Sequence, residues 1–287
     1  MTLPTFFIIG AAKAGTTSLH YYLDQHPEVQ MSLNKEPNFF SGPENGNPYP
    51  LGRISRLEDY ERLFDSSVAV RGEASVCYTH HPRRQGTPER IKELVPDAKF
   101  VYVVRDPIER SVSQYKYRVA LEGERRPLAE ALGDLSDPYS HCICPSLYAS
   151  QLDRYLNHFP QDRLMVVDHA DLLGDRRSAL REIFAFLAVD ETVDASQFNE
   201  ELNTSREHRV YPQAYARLRG PVLPAPLRWV PRSIRRPLRQ AVERALWPPL
   251  ENATLDDELR ARLQERFAGE AERLRTLTGK QFPSWSV

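Results

Sequence analysis

The sequence predicts an α/β fold in which helices flank a central parallel sheet, and three observations carry that prediction. Four short runs at 6–9, 68–71, 99–104 and 164–167 are apolar and rich in β-branched residues, as strands buried on both faces should be. Segments of helical character lie between them, at 16–25, 57–64, 88–94, 107–121, 145–159 and 177–187. Strand and helix therefore alternate, the pattern of parallel strands joined by right-handed crossovers. A sheet of four or five strands follows. Ligands of such sheets bind outside the carboxyl ends of the strands, where Lys13, Glu73 and Arg105 all fall.

The first strand, Phe6 to Ile9, breaks at Gly10, turns through Ala-Ala-Lys-Ala-Gly and enters a helix at Thr16-Thr17-Ser18. Loop and first-turn N–H groups have no partner within the helix, and the helix dipole favours negative charge there, so this stretch is an anion cradle. Gly10 and Gly15 keep the spacing of a nucleotide-triphosphatase loop, G-x-x-x-x-G-K-[ST], which points to a P-loop-type three-layer fold. The loop is a modified one. Thr16 holds the lysine position, and the only lysine, Lys13, sits mid-loop. The chain has six lysines against 32 arginines, so a lysine kept here suggests a need for a compact point charge. The plainer reading is a solvated loop lysine.

Glu73 follows the second strand and is a lesser candidate for base or substrate contacts; His80 and His81 read as loop histidines. The third strand ends in Arg105-Asp106-Pro107, where Asp106 is a natural N-cap and Pro107 a natural first helical residue. Ser113, two turns into that helix, is within reach of an anion held by Arg105. Asp106 and Arg110, four apart, also suit a helix ion pair, and Arg105 a core carboxylate. Beyond residue 202 the composition shifts. From Arg206 to Arg244 there are ten arginines against two acids, Glu207 and Glu243, with prolines throughout. This segment, about 203–250, is either a solvated surface or a lid over an anionic ligand, with Arg206 and Arg209 as candidate contacts. A final amphipathic helix is expected at 255–277.

Length and composition bound the class. The 287 residues suit one domain with its core at 5–190, and 41% hydrophobic with 27% charged residues is ordinary for a soluble globular protein. A net charge of −1 speaks against a globally basic nucleic-acid binder. Residues 1–4 lack a positive n-region, and no run approaches the ~20 apolar residues of a membrane helix. Cys77, Cys142 and Cys144 show no metal-ligand spacing, so no metal is expected, and a reducing cytoplasm suits so sparse a set.

Together the two anion motifs resemble the PAPS-dependent sulfotransferases, of the glycosaminoglycan or carbohydrate type, whose donor is 3′-phosphoadenosine 5′-phosphosulfate. Lys13-Ala14-Gly15-Thr16-Thr17-Ser18 resembles the family's 5′-phosphosulfate loop, and Arg105 to Tyr115 resembles its 3′-phosphate segment, which binds through the first arginine and the serine, here Arg105 and Ser113. Lys35-Glu36-Pro37-Asn38-Phe39-Phe40 is similar to a Lys-Glu-Pro-His-Phe-Phe motif, and Leu147-Tyr148 through Phe159-Pro160 to a Tyr-x-x-x-Leu-x-x-Trp helix. Asn38, Ser146 and Tyr155 depart from the family's histidine, glycine and tryptophan, on the acceptor side. The resemblance covers about 5–190.

It implies sulfuryl transfer from PAPS to a hydroxyl of a carbohydrate or small-molecule acceptor. By analogy with phosphoryl transfer, positioning and electrostatics supply most of the catalysis. Lys13 would meet the charge that develops on the leaving phosphate, and Ala14 to Ser18 would bind its oxygens. Arg105 and Ser113 would read the 3′-phosphate. Glu36 would be the general base, on a backbone that Pro37 biases towards an extended conformation. Two rival classes stay open. A P-loop kinase would use Asp168 after the fourth strand but lacks lysine at position 16; a non-catalytic nucleotide-binding protein would have no need of both Lys13 and Glu36.

Overall fold

Phe6–Gly10 is buried at all five positions, which a strand can be only at the centre of a sheet covered on both faces. A computed structural model describes residues 1–42, 53–193 and 255–287 and places this strand, β1, there. Around it lie β2 (Val29–Met31), β3 (Val70–Ala74), β4 (Lys99–Val104) and β5 (Leu164–Asp168). The order is β2-β3-β1-β4-β5, with every pair parallel. The chain builds one side of the sheet through β2 and β3 and then crosses to the other side for β4 and β5. The direction of winding therefore reverses at β1 and β4, where a crevice opens at the carboxyl edge.

The helices among the described residues are α1 (Thr16–Leu23), α2 (Leu57–Glu61), α3 (Thr87–Leu94), α4 (Pro107–Tyr117), α5 (Leu128–Gly133), α6 (Tyr148–Leu156), α7 (His169–Gly174), α8 (Arg176–Leu187) and α9 (Asp257–Thr278). Several end earlier than the sequence suggests, for local reasons. α1 stops at Leu23 because Asp24 turns its carboxylate to the amide of Met31, which fastens the short β2. α4 gives way to a π turn at Arg118–Glu122, closed by Gly123 at φ 77°. β3 lies further along than the apolar run at 68–71, because its buried end is Gly72-Glu73-Ala74. A Cβ at Gly72 would meet Phe6 Cζ at 2.2 Å and Met31 Sδ at 2.5 Å, so only glycine lets β3 approach its neighbours. β2, α5 and α7 were not expected from the sequence. The arginine-rich segment with Arg206 and Arg209 lies outside the described residues.

One core runs through the sheet. Phe7 stacks on Phe100 at 5.8 Å and meets Phe40 edge-on at 5.6 Å, while Phe100 meets Tyr155 and Phe159. Buried in this aromatic layer, Glu73 accepts hydrogen bonds from Ser75 (2.6 Å) and Tyr60. Burial lifts its pKa to about 7 against the opposing pull of those donors.

The 282–287 segment returns to the carboxyl edge of the sheet. Trp285 stacks on Phe282 at 4.4 Å, contacts Tyr148, and donates its Nε1–H to Asp168 at 3.4 Å. Ser286 donates both its amide (2.5 Å) and its hydroxyl (2.7 Å) to Asp106. Two neighbouring strand ends are thus tied by one segment. Trp285→Ala should cost about 3–5 kcal/mol, the usual loss for a buried tryptophan. Urea unfolding measures it, and a loss under about 1 kcal/mol would mean that the segment is only loosely attached.

Candidate functional site

The site grows from the loop between β1 and α1. Ala11 donates its amide to Val103 O (2.6 Å), and Ala14 to Ala11 O (3.1 Å), so the loop folds back over β4. Lys13 takes φ 71° and Gly15 φ 93°, left-handed conformations that turn the chain sharply into α1. No side chain caps α1, which leaves its first turn facing the crevice. Thr16 is buried, while Thr17 and Ser18 are half-buried at the same helix end.

Lys13 lies half-buried, its Nζ 4.5 Å over the ring of Tyr117. Its pKa is lowered to about 8, first by burial and then by the charges of Arg105, Arg110 and Lys35. Four cations from four segments therefore share one field. The structure brings Lys13, Ala14, Gly15, Thr16, Thr17, Ser18, Arg105 and Lys35 to the same edge of the sheet.

Arg105 leaves β4 there. Its backbone is held by Tyr148, whose hydroxyl donates to Arg105 O at 2.7 Å, and its guanidinium pairs with Glu109 at 3.1 Å on the next helical turn. This partner is an exposed helix carboxylate rather than a core one. Asp106 caps α4 as expected, accepting from the amide of Glu109 at 2.8 Å. Ser113 is buried two turns along α4.

Arg110 is the residue that sequence reasoning missed. The Asp106–Arg110 ion pair that the spacing also suits does not form. Arg110 is fully buried and donates to Ser146 Oγ (2.5 Å), Ala12 O (3.2 Å) and Cys142 O. All three acceptors are neutral, so its charge is not cancelled by them. Spacing of four along a helix suggested a surface pair, whereas α4 turns this face inward: Ile108, Ser111 and Tyr115 are buried beside it. The signal available was Ser146, where the family resemblance expects a glycine and where this chain supplies an acceptor for Arg110.

Glu36 stands next to the carboxyl end of β3, its amide donating to Ala74 O at 2.9 Å. The expected extended backbone is not found. Glu36 has φ 63° and Asn38 φ 55°, and Ser75 Oγ and Glu36 O accept hydrogen bonds from the Asn38 amide and side chain. Pro37 disfavours the right-handed helical region for Glu36 but leaves the left-handed one, which these bonds select. The carboxylate pairs with Lys35 Nζ at 2.7 Å and accepts from the Val76 amide at 3.1 Å.

The remaining candidates stand apart. His80 is kept neutral, its pKa pushed down to about 3 by burial and then by Arg110 and Arg84. His81 is bound through its backbone to Gln151. Asp168, which the kinase reading needs as a magnesium ligand, instead caps α7 through the Ala170 amide (3.1 Å) and receives Trp285 and Ser284. Cys77, Cys142 and Cys144 are free thiols, two of them buried. No group of His, Cys, Asp or Glu among the described residues is arranged to hold a metal ion.

The site is a P-loop-like strand–loop–helix beside a second cationic strand end at the carboxyl edge of an α/β sheet. Comparison with known proteins gives the family. The family model described as "Sulfotransferase family" matches residues 4–194, and the chain belongs to that family. The human bifunctional heparan sulfate N-deacetylase/N-sulfotransferase 3 is 29% identical over 204 residues, which cover 65% of this chain and 22% of that protein. The mouse heparan sulfate glucosamine 3-O-sulfotransferase 3A1 is 28% identical over 202 residues, covering 68% and 48%. The chain thus matches less than half the length of these relatives. A crystal structure of a sulfotransferase from Alicyclobacillus acidocaldarius superposes with a TM-score of 0.70 at 26% identity, covering 100% of both chains.

The lowered pKa of Lys13 makes two measurements move in opposite senses. Between about 8 and the ordinary 10.5 the unfolded chain holds more protons than the folded one, so stability of the ligand-free protein should rise with pH across that window. Anion binding needs the ammonium, so affinity for pyrophosphate should fall as pH rises through about 8. Both pH-dependent components should vanish in Lys13→Met. Equal pH slopes in the two proteins would show that another group titrates.

Proposed function

We propose that this sulfotransferase-family protein moves a sulfuryl group from 3′-phosphoadenosine 5′-phosphosulfate to a hydroxyl of a carbohydrate or small-molecule acceptor. The observation that carries the reading is the convergence of two separate anion loci, the uncapped α1 end with Lys13 and the β4 end with Arg105, beside the buried charge of Arg110. Two loci suit a donor with phosphates at both the 5′ and 3′ positions of one ribose. The heparan sulfate relatives support a glycan acceptor, and they include both an N- and an O-sulfotransferase by name. The cytoplasmic setting belongs to the same proposal and rests on the sparse free thiols.

The residues divide the work by chemistry. The first turn of α1 and the loop amides bind the 5′-phosphate oxygens. Arg105 and Ser113 hold the 3′-phosphate by charge-assisted hydrogen bonds. In the transfer, the acceptor oxygen bonds to sulfur as the bridging sulfur–oxygen bond breaks. The acceptor proton passes to Glu36, and Lys13 meets the charge left on the departing phosphate. Lys35, already paired with Glu36, holds that carboxylate in place. Arg206 and Arg209 remain candidate contacts for the donor.

Two variants test the division. Arg105→Ala should weaken PAPS binding about ten- to a hundredfold, the loss of one charge-assisted contact, with far less effect on adenosine 5′-phosphosulfate, which lacks the 3′-phosphate. Equal losses for both donors would make Arg105 structural. Glu36→Gln should lower transfer by ~10²–10⁴ while PAPS still binds. Mass spectrometry for the ~80 Da increment of an appended sulfuryl group reads transfer, the analogue of the phosphoryl reaction. Near-normal turnover in the Gln variant would reassign the base.

A further inference from the structure

The turn that carries Glu36 holds an unfavourable backbone. Glu36 and Asn38 both take left-handed φ, 63° and 55°, although neither is glycine. Such a pair persists only where its surroundings over-determine it. Here the surroundings are one short stretch at the carboxyl end of β3, residues 73–78. Ala74 O accepts from the Glu36 amide at 2.9 Å, and the Val76 amide donates to the Glu36 carboxylate at 3.1 Å. Ser75 Oγ accepts from the Asn38 amide at 3.1 Å, and the Tyr78 hydroxyl from the Phe40 amide at 3.0 Å. The Asn38 side chain is engaged in the same turn, donating to Glu36 O at 2.8 Å and accepting from the Cys77 thiol at 2.9 Å.

Glu73 stands behind the two hydroxyls, buried with them. A backbone amide can only donate, so each hydroxyl accepts from the amide it meets and has one proton left to give. Both give it to Glu73, Ser75 at 2.6 Å and Tyr78 beside it. An ionised carboxylate only accepts, so it draws both protons away from the amides and leaves both lone pairs facing them. Tyr60 donates to the same carboxylate from α2, but the Asn38 and Phe40 amides are held by the other two hydroxyls. Filling space alone would not call for a carboxylate here, because such a group is costly to bury with no cation among its partners.

We propose that Glu73 is a positioning residue for the base: it fixes the Ser75 and Tyr78 hydroxyls that hold the Asn38 and Phe40 amides, and through them the left-handed turn that presents Glu36. The inference rests on Glu36 being the base and goes beyond it, because it gives a role to a buried carboxylate that the transfer itself does not use.

Amide hydrogen exchange of the intact chain, followed by NMR at pH 8, tests the tether without any acceptor. Glu73 titrates at about 7, so it is ionised under these conditions. Glu73→Met keeps the length and removes both acceptor oxygens. The Asn38 and Phe40 amides should then exchange about 5- to 100-fold faster, the cost of a buried amide left poorly paired, while β1 and β4 keep their protection. Tyr60→Phe removes a donor to the same carboxylate and should leave both amides protected. If Glu73→Met does not fold, Ser75→Ala should loosen Asn38 alone and Tyr78→Phe should loosen Phe40 alone. Unchanged exchange at these amides would overturn the proposal, and so would equal loosening across the sheet or in Tyr60→Phe, which would make Glu73 an ordinary core group.

Transfer from PAPS to a desulfated heparan oligosaccharide gives the second readout. Glu73→Met should lower kcat about 10- to 100-fold with KM for PAPS unchanged, the usual effect of a displaced catalytic group. It should lower it no further in a Glu36→Gln background, because both changes act through one carboxylate. Additive losses would overturn the proposal. Normal turnover in Glu36→Gln alone would instead bring down the base reading, and a wild type that sulfates no probe would count against the transfer reading; in both cases the exchange data still decide whether Glu73 holds the turn.

Discussion

The site depends on one buried guanidinium. Arg110 has no exposure to solvent and holds three points at once: the loop through Ala12 O, the segment before α6 through Ser146 Oγ, and Cys142 O. A charge with no carboxylate among these partners is costly to bury, and burial accordingly pulls its pKa down from the ordinary arginine value. Arginine does not escape by losing its proton at any ordinary pH. The fold therefore keeps a fixed positive charge beneath a loop whose open amides also favour anions. An arginine buried for packing alone would be expected to carry a carboxylate partner, since such groups are rarely fully buried unpaired.

The other fixed points are carboxylates at strand ends. Asp106 and Asp168 terminate β4 and β5, cap the helices that follow, and both accept further hydrogen bonds from residues 284–286. A cap is worth about 1 kcal/mol, and a hydrogen bond to a charged acceptor about 1.5–3 kcal/mol. Each carboxylate thus serves local helix geometry and a long-range closure together. The consequence for function is positional. Arg105 is the residue next to one of these anchors, so its backbone is set before any ligand arrives.

Most of this frame was legible in the residues, for identifiable reasons. β1, β4 and β5 are continuous apolar runs, and the loop after β1 has a spacing that few other structures require. Asp106-Pro107 announced α4 because cap and first-turn preferences are local. What escaped was whatever tertiary contacts decide. β3 ends in Gly72 and Glu73, a poor strand by propensity, yet Glu73 is fully buried because Ser75 and Tyr60 satisfy it. Arg110 looked like half of a surface ion pair because spacing alone does not tell which face of a helix is covered. Glu36 was placed at the right edge but in the wrong conformation, since proline excludes one backbone region without choosing between the others.

The electrostatics of the site join its stability to its chemistry. Lys13, Lys35, Arg105 and Arg110 repel one another, and the lowered pKa of Lys13 records that repulsion together with its burial. An unoccupied protein therefore carries a penalty that a polyanion reverses, so binding is helped by relief of repulsion as well as by new contacts. On the loop flank Glu109 pairs with Arg105 at 3.1 Å, which leaves Lys13 and Arg110 as its cations without a direct carboxylate partner among the described residues. Glu36 offsets Lys35 on the other flank, through their 2.7 Å pair. That asymmetry suits a reaction that expels negative charge towards the loop and takes up a proton on the opposite side. It also explains the retained lysine. An arginine at position 13 would stay charged at every pH, but its broad planar head is a poorer fit to a crowded turn over Tyr117 than a compact ammonium that can follow a departing oxygen.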